Sequence, residues 1–445
     1  MKIALTYSKI IPFTVLLITI SSINHWSKLP IGNTYVWWAV YATILFTFLK
    51  AKPIYFNLNN KKNIQSILIL LTWNIICIFR GFFVAENYWE WKNLVGTSMV
   101  LLLPLSIYIT TNKVLLQKIF SAWIKYALPS FFFFVIFFTH PNASGRYLTP
   151  ISFLLLFFSV IKLKWRLIIL FFCLFVFIGN LDARSNVIKF TVSFLLSFIY
   201  YLRLFPINNI LRIARLTFLI LPFLLFTLGV TGVFNIFKMD EYIEGNYTTN
   251  TIREGKSVES SLMADTRTGI YSQVLNSSVK YGYIVLGRSP ARGNESETFG
   301  LYALEVLKTG KMERFSNEVS ILNVFTWTGI IGVVLYFFVF FKASQLAIYY
   351  SNNIFIKIIG LNVVFRWDYA WVEDFSKFDL SIFMLWVMIG MCFSKEFRGM
   401  TNQEMKYWVL GIFDRKYTRP LHNSRPTLST QAEYSENSSQ NTHLS

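Results

Sequence analysis

Arginines and carboxylates gather around one polar stretch of the chain, and their chemistry suits a phosphate-bearing substrate. Positions 234–317 are polar, whereas apolar runs of near membrane-spanning length fill most of the sequence on either side. Guanidinium groups bind phosphate oxygens in pairs and can stabilise a leaving pyrophosphate without a metal. The ionisable residues of this stretch, and of the short loops predicted to share its side, include Arg80, Glu86, Asp182, Arg184, Asp265, Arg267, Arg288, Arg292, Arg314 and Glu318.

Motifs of common nucleotide-binding and metal-dependent enzymes are absent from the sequence. It contains no Walker loop, no Rossmann glycine pattern, no zinc-protease motif and no Cys-x-x-Cys pair. An Asp-x-Asp motif is also missing, which argues against a metal-dependent sugar-nucleotide transferase. The three cysteines lie inside apolar runs, so the sequence indicates neither a disulfide framework nor a metal site. We therefore expect no metal and no other cofactor.

Arg184 stands between two strongly apolar runs, and Lys189 follows about one helical turn later. Charged side chains near the hydrocarbon are costly unless they are paired, so two adjacent cations favour an anionic partner. The alternative is that Arg184 is an interfacial residue whose long side chain reaches lipid headgroups. We take Arg184 as a candidate catalytic residue.

Arg267 and Glu318 are the other two candidate catalytic residues. Arg267 lies near the start of a predicted helix, and the alternative is an exposed charge beside Asp265 that contributes little. Glu318 stands where the polar stretch meets the next apolar run, a position from which a carboxylate could accept a proton from a substrate. Its alternative is a hydrated acid that stabilises the N-terminus of the following helix.

Two aromatic segments, Tyr88-Trp89-Glu90-Trp91 and Trp367-Asp368-Tyr369-Ala370-Trp371, are predicted to lie at the same membrane face. Such residues commonly form the aromatic belt at the membrane–water interface. Carboxylates are interleaved with the rings, however, and this pattern is also typical of a surface on which sugar rings stack. Trp89 and Trp91 are therefore candidate substrate-binding residues.

Composition predicts an integral membrane protein. Hydrophobic residues make up 54% of the 445 residues, and charged residues only 15%, below the roughly 25% that is typical of soluble domains. The expected fold is all-α and polytopic, with about twelve transmembrane helices. The predicted spans lie near 10–24, 34–49, 64–80, 94–110, 119–139, 148–162, 165–180, 185–202, 213–233, 318–341, 345–365 and 378–394.

Alternate loops differ in positive charge, and this difference predicts the orientation. Because cytoplasmic loops are enriched in Lys and Arg, we expect both termini in the cytoplasm and the 234–317 stretch outside. The formal net charge of +19 then reflects topology and attraction to anionic membrane lipids, with no nucleic-acid partner. The cations of the predicted cytoplasmic loops are Lys50, Lys52, Lys61, Lys62, Lys113, Lys118, Lys162, Lys164, Arg166, Arg203, Arg212 and Arg215.

The chain divides into four predicted regions. A transmembrane bundle of about nine helices spans residues 1–233, and a large periplasmic loop follows at 234–317. About three further transmembrane helices occupy 318–394, and a cytoplasmic tail at 395–445 is expected to be disordered at its end. Within the loop, one helix is predicted from an N-cap at Asp265 to a stop at Gly282. A second is predicted to open at Ser296 and to stop at Gly310.

Three short motifs surround the large loop in a fixed order. They are Ala183-Arg184-Ser185, then Asp265 to Tyr271 with the later Gly287, then Glu318 to Leu322 followed by Gly329-Ile330-Ile331-Gly332. In order and placement they resemble the motifs of the O-antigen polymerase and ligase family of bacterial surface-polysaccharide enzymes. Ligases of that family usually carry histidine and asparagine where this chain has Glu318 and Val319, so the resemblance favours a polymerase.

The resemblance implies a metal-independent glycosyltransferase of the bacterial inner membrane. Its substrate would be an oligosaccharide repeat linked to polyprenyl pyrophosphate, joined to other repeats at the periplasmic face, and a chain-length regulator is a further candidate partner. In this mechanism Arg184 and Arg267 bind the departing pyrophosphate, and Glu318 deprotonates or orients the acceptor hydroxyl. The further substrate-binding candidates are Arg80, Arg288, Arg292, Trp89 and Trp91.

Other functions stay open at this stage. A ligase would transfer finished glycan to lipid A core or another acceptor. A flippase or other transporter would carry ionisable or broken elements at mid-membrane, whereas most predicted spans here are free of charge. A purely structural membrane anchor would give no reason for the arginines of the large loop.

Overall fold

Helices form almost all of the regular structure. The computed structural model describes residues 2–29, 31–140, 142–179, 184–204, 207–238, 241–242, 248–253, 256–261, 267–374 and 376–417. The helices in these ranges are α1 (Lys2–Ser21), α2 (Thr34–Tyr55), α3 (Gln65–Val84), α4 (Tyr88–Leu101), α5 (Ile107–Thr110), α6 (Lys113–Ala122), α7 (Leu128–Phe134), α8 (Asn142–Tyr147), α9 (Thr149–Leu155), α10 (Leu163–Gly179), α11 (Arg184–Ser197), α12 (Asn208–Val230), α13 (Thr268–Lys280), α14 (Glu297–Glu305), α15 (Ser320–Tyr349), α16 (Ile354–Tyr369), α17 (Leu380–Phe393), α18 (Lys395–Gly399) and α19 (Asn402–Phe413).

Seven helical stretches among the described residues are long and apolar enough to cross a membrane. The other five predicted spans correspond to α2, α9, α10, α16 and α17, which are shorter or less apolar than this requirement. The structure therefore supports a helical membrane protein, and the number of twelve crossings stays a prediction. The seven stretches are Thr6–Trp26, Gln65–Val84, Tyr88–Thr110, Lys113–Phe137, Ser185–Leu202, Asn208–Val230 and Ser320–Tyr349.

The centre of the bundle is formed by α16 and α17. Every residue of α17 is buried, and so is nearly all of α16. α17 is apolar on all sides, and such a helix is stable when other helices surround it. Trp367, near the end of α16, is fully buried. The prediction that this aromatic segment lies in an interfacial belt is therefore wrong for Trp367, which is a core residue.

The large loop contains both helices that the sequence predicts. The first, α13, ends just before Gly282, whose positive φ of 65° breaks the helix at the predicted residue. Its predicted N-cap, Asp265, lies outside the described residues. The second, α14, opens at Ser296, whose side chain accepts a hydrogen bond from the backbone N–H of Phe299. It ends at Glu305, before the predicted stop at Gly310.

Two small antiparallel strand pairs among the described residues of the loop were not predicted. One pairs β1 (Thr248–Arg253) with β2 (Lys256–Ser261). The other pairs β3 (Asn294–Glu295) with β4 (Glu313–Arg314), and it brings the two ends of the α14 region together. Strands of two residues are too short to show the alternating pattern by which strands are recognised in a sequence.

The loop is docked into a break in α15. Gly329 has a φ of 69° inside this helix, and the freed N–H of Ile330 donates to the carbonyl of Ile284 at 2.9 Å. A Cβ added at Gly329 would lie 2.1 Å from the carbonyl oxygen of Val285, and one at Gly287 would lie 2.4 Å from the nitrogen of Gly329. The two motif glycines therefore meet, because only glycine allows this backbone approach.

Candidate functional site

The connection between α16 and α17, residues 370–379, is where two of the sequence motifs meet. We call it the α16–α17 connection; its described residues are 370–374 and 376–379. Arg267 donates from Nε to the carbonyl of Val372 at 2.7 Å. Its guanidinium also lies 3.6 Å from the carboxylate of Glu373. Arg267 is thus fixed to the connection by both a backbone and a charged partner.

The start of α15 lies on the same connection. The first backbone N–H groups of a helix have no partner within the helix. Here those of Ser320 and Ile321 donate to the carbonyls of Glu373 and Ala370, at 3.1 and 3.0 Å. Asn323 then donates to the hydroxyl of Ser376 at 2.9 Å. The segment that follows Glu318 is therefore held against the residue that pairs with Arg267.

The first motif also approaches this place, through α11. This helix begins at Arg184, whose side chain lies outside the described part of the chain. Ser185 interacts with the hydroxyl of Tyr369 at the end of α16. Lys189 is close enough to interact electrostatically with Glu373. The backbone of α11 thus joins the site, and the role of the Arg184 guanidinium stays a prediction.

Positive charge exceeds negative charge around the connection. Arg146 forms an ion pair with the buried Asp379 at 3.1 Å. Glu373 interacts with Lys189, Arg267 and Arg146. A further buried cation of this group is Arg366, which donates to Ser381 at 3.1 Å. We call the following described residues the cation cluster: Arg146, Lys189, Arg267 and Arg366, with the carboxylates of Glu373 and Asp379. The neighbouring Asp374 also acts on Glu373 and pairs with Lys377, so it adds one carboxylate together with one cation.

Burial has the largest effect on the pKa of Glu373. Removal from water raises the pKa of its carboxyl, and this effect outweighs the nearby cations Lys189 and Arg267, which act in the opposite direction. The cation cluster contains more basic side chains than carboxylates, and this composition suits an anionic ligand.

An apolar groove of about 360 Å³ opens beside Arg267. It lies between the end of α12, the start of α13 and the end of α16. Thr268, the residue after Arg267, lines the groove together with Val372 of the connection. Its other lining residues are mostly apolar and aromatic, and include Leu225, Phe226, Phe237, Tyr271, Leu275 and Trp371. Its chemistry suits a hydrocarbon chain.

A larger cavity of about 510 Å³ lies at the other end of the connection. Ser376, Lys377 and Asp379 form part of its wall, and Leu307 and Phe315 of the large loop also line it. Pockets of this size that combine aromatic walls with a few polar groups are typical of small-molecule sites. We call it the aromatic cavity, and its rings are Trp26, Trp37, Trp38, Tyr41, Trp89, Phe315, Trp327 and Phe378.

Three of the predicted substrate-binding arginines hold the large loop in place. Arg80 donates to the carbonyls of Leu286 and Gly287 at 2.6 and 3.1 Å. Arg288 and Arg292 share the buried carboxylate of Glu313, and Arg292 binds both of its oxygens. This pairing raises the pKa of Arg292. These contacts favour a structural role for Arg80, Arg288 and Arg292.

A second set of ion pairs ties the same part of the loop to α4. Lys311 bridges Glu86 and the buried Glu90, at 2.7 and 2.6 Å. The hydrogen bonds to Lys311 lower the pKa of the Glu86 carboxyl. Arg292 approaches Glu90 at 3.6 Å. Three carboxylates and three cations are therefore interleaved, and we call them the loop anchor: Glu90, Glu86, Glu313, Arg288, Arg292 and Lys311.

The remaining predicted site residues, Glu318, Trp89 and Trp91, lie in different parts of the structure. Glu318 is exposed, and its carboxylate lies 3.5 Å from Arg314. Burial lowers the pKa of Arg314, which also interacts with Asp374 of the connection. Trp89 lines the aromatic cavity, whereas Trp91 packs edge-on against Phe82 at the surface. Of the two tryptophans, only Trp89 is in a position to contact a ligand in that cavity.

Sequence reasoning did not select Arg146, Glu373 or Asp379. A signal was present for the acids, since Glu373 and Asp374 follow directly after the aromatic segment and precede an apolar run. Arg146 stands alone in a short loop, and nothing in the sequence relates it to Asp379, more than two hundred residues later. No protein-family model, curated protein or solved structure matches this chain. Its function must therefore be argued from the site itself.

Proposed function

We propose that this protein is a membrane glycosyltransferase that polymerises oligosaccharide repeats carried on polyprenyl pyrophosphate. The proposal depends on one observation: an apolar groove, an excess of buried positive charge and an aromatic cavity follow one another along the α16–α17 connection. A lipid-linked oligosaccharide has the same order of parts, namely a hydrocarbon chain, a pyrophosphate and sugars.

Each part of the substrate has a partner of matching chemistry. The polyprenyl chain would lie in the groove lined by Phe226 and Trp371, since its burial removes apolar surface from water. The pyrophosphate would bind the cation cluster, where Arg267 presents a planar fork that suits phosphate oxygens. The sugars would extend into the aromatic cavity past Arg146, which belongs to the cluster and also lines that cavity.

The proposed reaction replaces one bond to the anomeric carbon by another. An acceptor hydroxyl forms a glycosidic bond with the anomeric carbon of the donor, and the bond from this carbon to the pyrophosphate oxygen breaks. The cation cluster stabilises the negative charge of the leaving group. Glu318, next to the part of α15 that docks on the connection, is the candidate that accepts the hydroxyl proton. The orientation predicted from the sequence puts these events in the periplasm.

Removing the gene from its host and restoring it on a plasmid tests the proposal. Without the protein, cells should accumulate single repeats linked to polyprenyl pyrophosphate and should lose long polymer, as seen by gel and by mass spectrometry of the lipid fraction. Unchanged polysaccharide in the deletion strain would refute the proposal. Long polymer that remains attached to polyprenyl pyrophosphate would instead show a ligase.

A further inference from the structure

The aromatic cavity is lined by more cationic side chains than the binding of a neutral sugar requires. Among the described residues that line it are three cations, Lys92, Arg146 and Lys377, and one carboxylate, Asp379. Lys92, Arg146 and Lys377 all act electrostatically on His25, which also lines the cavity. The three cations thus share one small volume.

The carboxylates near the cavity already form ion pairs within the protein. Asp379 pairs with Arg146, and it accepts hydrogen bonds from the backbone N–H groups of Ser381 and Ile382 at the start of α17. Asp374 pairs with Lys377 at 3.6 Å. Lys92 differs from both cations, because its ammonium group lies 4.8 Å from the ring centre of Trp89 and no carboxylate pairs with it among the described ion pairs.

We infer that the aromatic cavity binds an acidic sugar of the repeat, a uronic acid or another residue with a carboxylate. A sugar ring would stack on Trp89 or a neighbouring indole, and its carboxylate would accept a charge-assisted hydrogen bond from Lys92. The inference rests on the proposed function and adds the chemical class of the sugar. It goes beyond the resemblance, which implies neither an acidic repeat nor a role for Lys92.

Binding of the natural repeat to purified protein tests the inference. The repeat is released from the lipid of the deletion strain by mild acid, and one half is treated so that each carboxylate is reduced to a primary alcohol. Calorimetric titration of the full chain in detergent with the untreated repeat should give a Kd at least about tenfold lower than with the reduced repeat, which corresponds to about 1.4 kcal/mol.

Matched variants assign the effect to Lys92. The change Lys92→Gln should weaken binding of the untreated repeat about tenfold and should leave binding of the reduced repeat unchanged. Lys92→Arg keeps the charge and should restore most of the affinity. Lys28→Gln is the control, since Lys28 is exposed and does not line the cavity.

Inorganic pyrophosphate is titrated into the wild type and Lys92→Gln in the same way. Four results would overturn the inference: a repeat without any acidic sugar, equal affinity for the untreated and reduced repeats, unchanged binding of the untreated repeat to Lys92→Gln, and loss of inorganic pyrophosphate binding in that variant. The last would make the cavity a pyrophosphate site. The proposed function stands or falls separately, because it depends on the loss of polymer in the deletion strain and not on the composition of that polymer.

Discussion

The loop anchor and the cation cluster are both rich in arginine, and they differ in charge balance. In the loop anchor three carboxylates face three cations, and Glu313 and Glu90 are buried between their partners. In the cation cluster four basic side chains share Glu373 and Asp379. Balanced buried charges mainly fix a structure, whereas a buried excess of one sign attracts a ligand of the other. The first group therefore supports the loop, and the second is the candidate for chemistry.

The largest expected effect comes from breaking the loop anchor. Glu313→Gln removes the shared carboxylate of the half-buried Arg288 and Arg292, and Arg292 keeps Glu90 at 3.6 Å. The cost should be at most about 3–5 kcal/mol, the value typical of breaking a fully buried pair. The apparent melting temperature of the purified protein should fall, and the loop should become sensitive to protease. The control is Glu295→Gln, because Glu295 pairs with the exposed Lys280 at the surface and its loss should change the melting temperature little. Equal melting temperatures for both variants would show that the anchor does not hold the loop.

A substitution in the cation cluster should lower stability less than Glu313→Gln does, but it should lower activity strongly. Arg267→Lys keeps the charge and loses the planar fork, so phosphate binding in the transition state should weaken by about 3 kcal/mol, or about 100-fold in rate. The measurement is polymer length on a gel at matched expression in the deletion strain. Arg212→Lys, at an exposed arginine of α12, is the matched control and should give normal polymer. Normal polymer from Arg267→Lys would remove this residue from the mechanism.

The smallest expected effect is a change of the melting temperature with pH that is caused by Glu373. Its pKa is higher in the folded protein than in the unfolded chain, so folding favours the protonated form. The contribution of this group to stability therefore rises as the pH falls through that raised pKa, and it is lost as the pH rises through it. Glu373→Gln imitates the protonated acid, and its melting temperature should exceed that of the wild type at pH 8 by a margin that narrows at pH 5. A margin that widens as the pH falls would contradict the assigned direction.

The sequence is sufficient to predict the helices of the loop but not the contacts between distant segments. Gly282 and Ser296 are local signals, and the helix boundaries follow them. The pairing of Arg146 with Asp379 joins residues that are far apart in the chain, and no spacing rule relates them. The burial of Trp367 was also hidden, because a tryptophan beside Asp368 has the same local pattern in a core as at an interface.

The grouping of Arg267 with the start of α15 follows from the order of the motifs, but the charge balance does not. The local sequence does not distinguish the three arginines Arg267, Arg288 and Arg292, since each lies in the polar loop near acidic residues. Only the fold decides that Arg288 and Arg292 share Glu313, whereas Arg267 joins a group with fewer acids than bases. The break of α15 at Gly329 is likewise set by the loop that docks there.

The most direct measurement is polymerisation by the purified protein in nanodiscs, supplied only with polyprenyl-pyrophosphate-linked repeats. We expect a ladder of lengthening chains together with free polyprenyl pyrophosphate, one molecule for each glycosidic bond formed, and a rate about 100-fold lower for Arg267→Lys. Repeats that remain single with the wild-type protein, or equal ladders from the wild type and Arg267→Lys, would contradict the claim that the cation cluster drives the transfer.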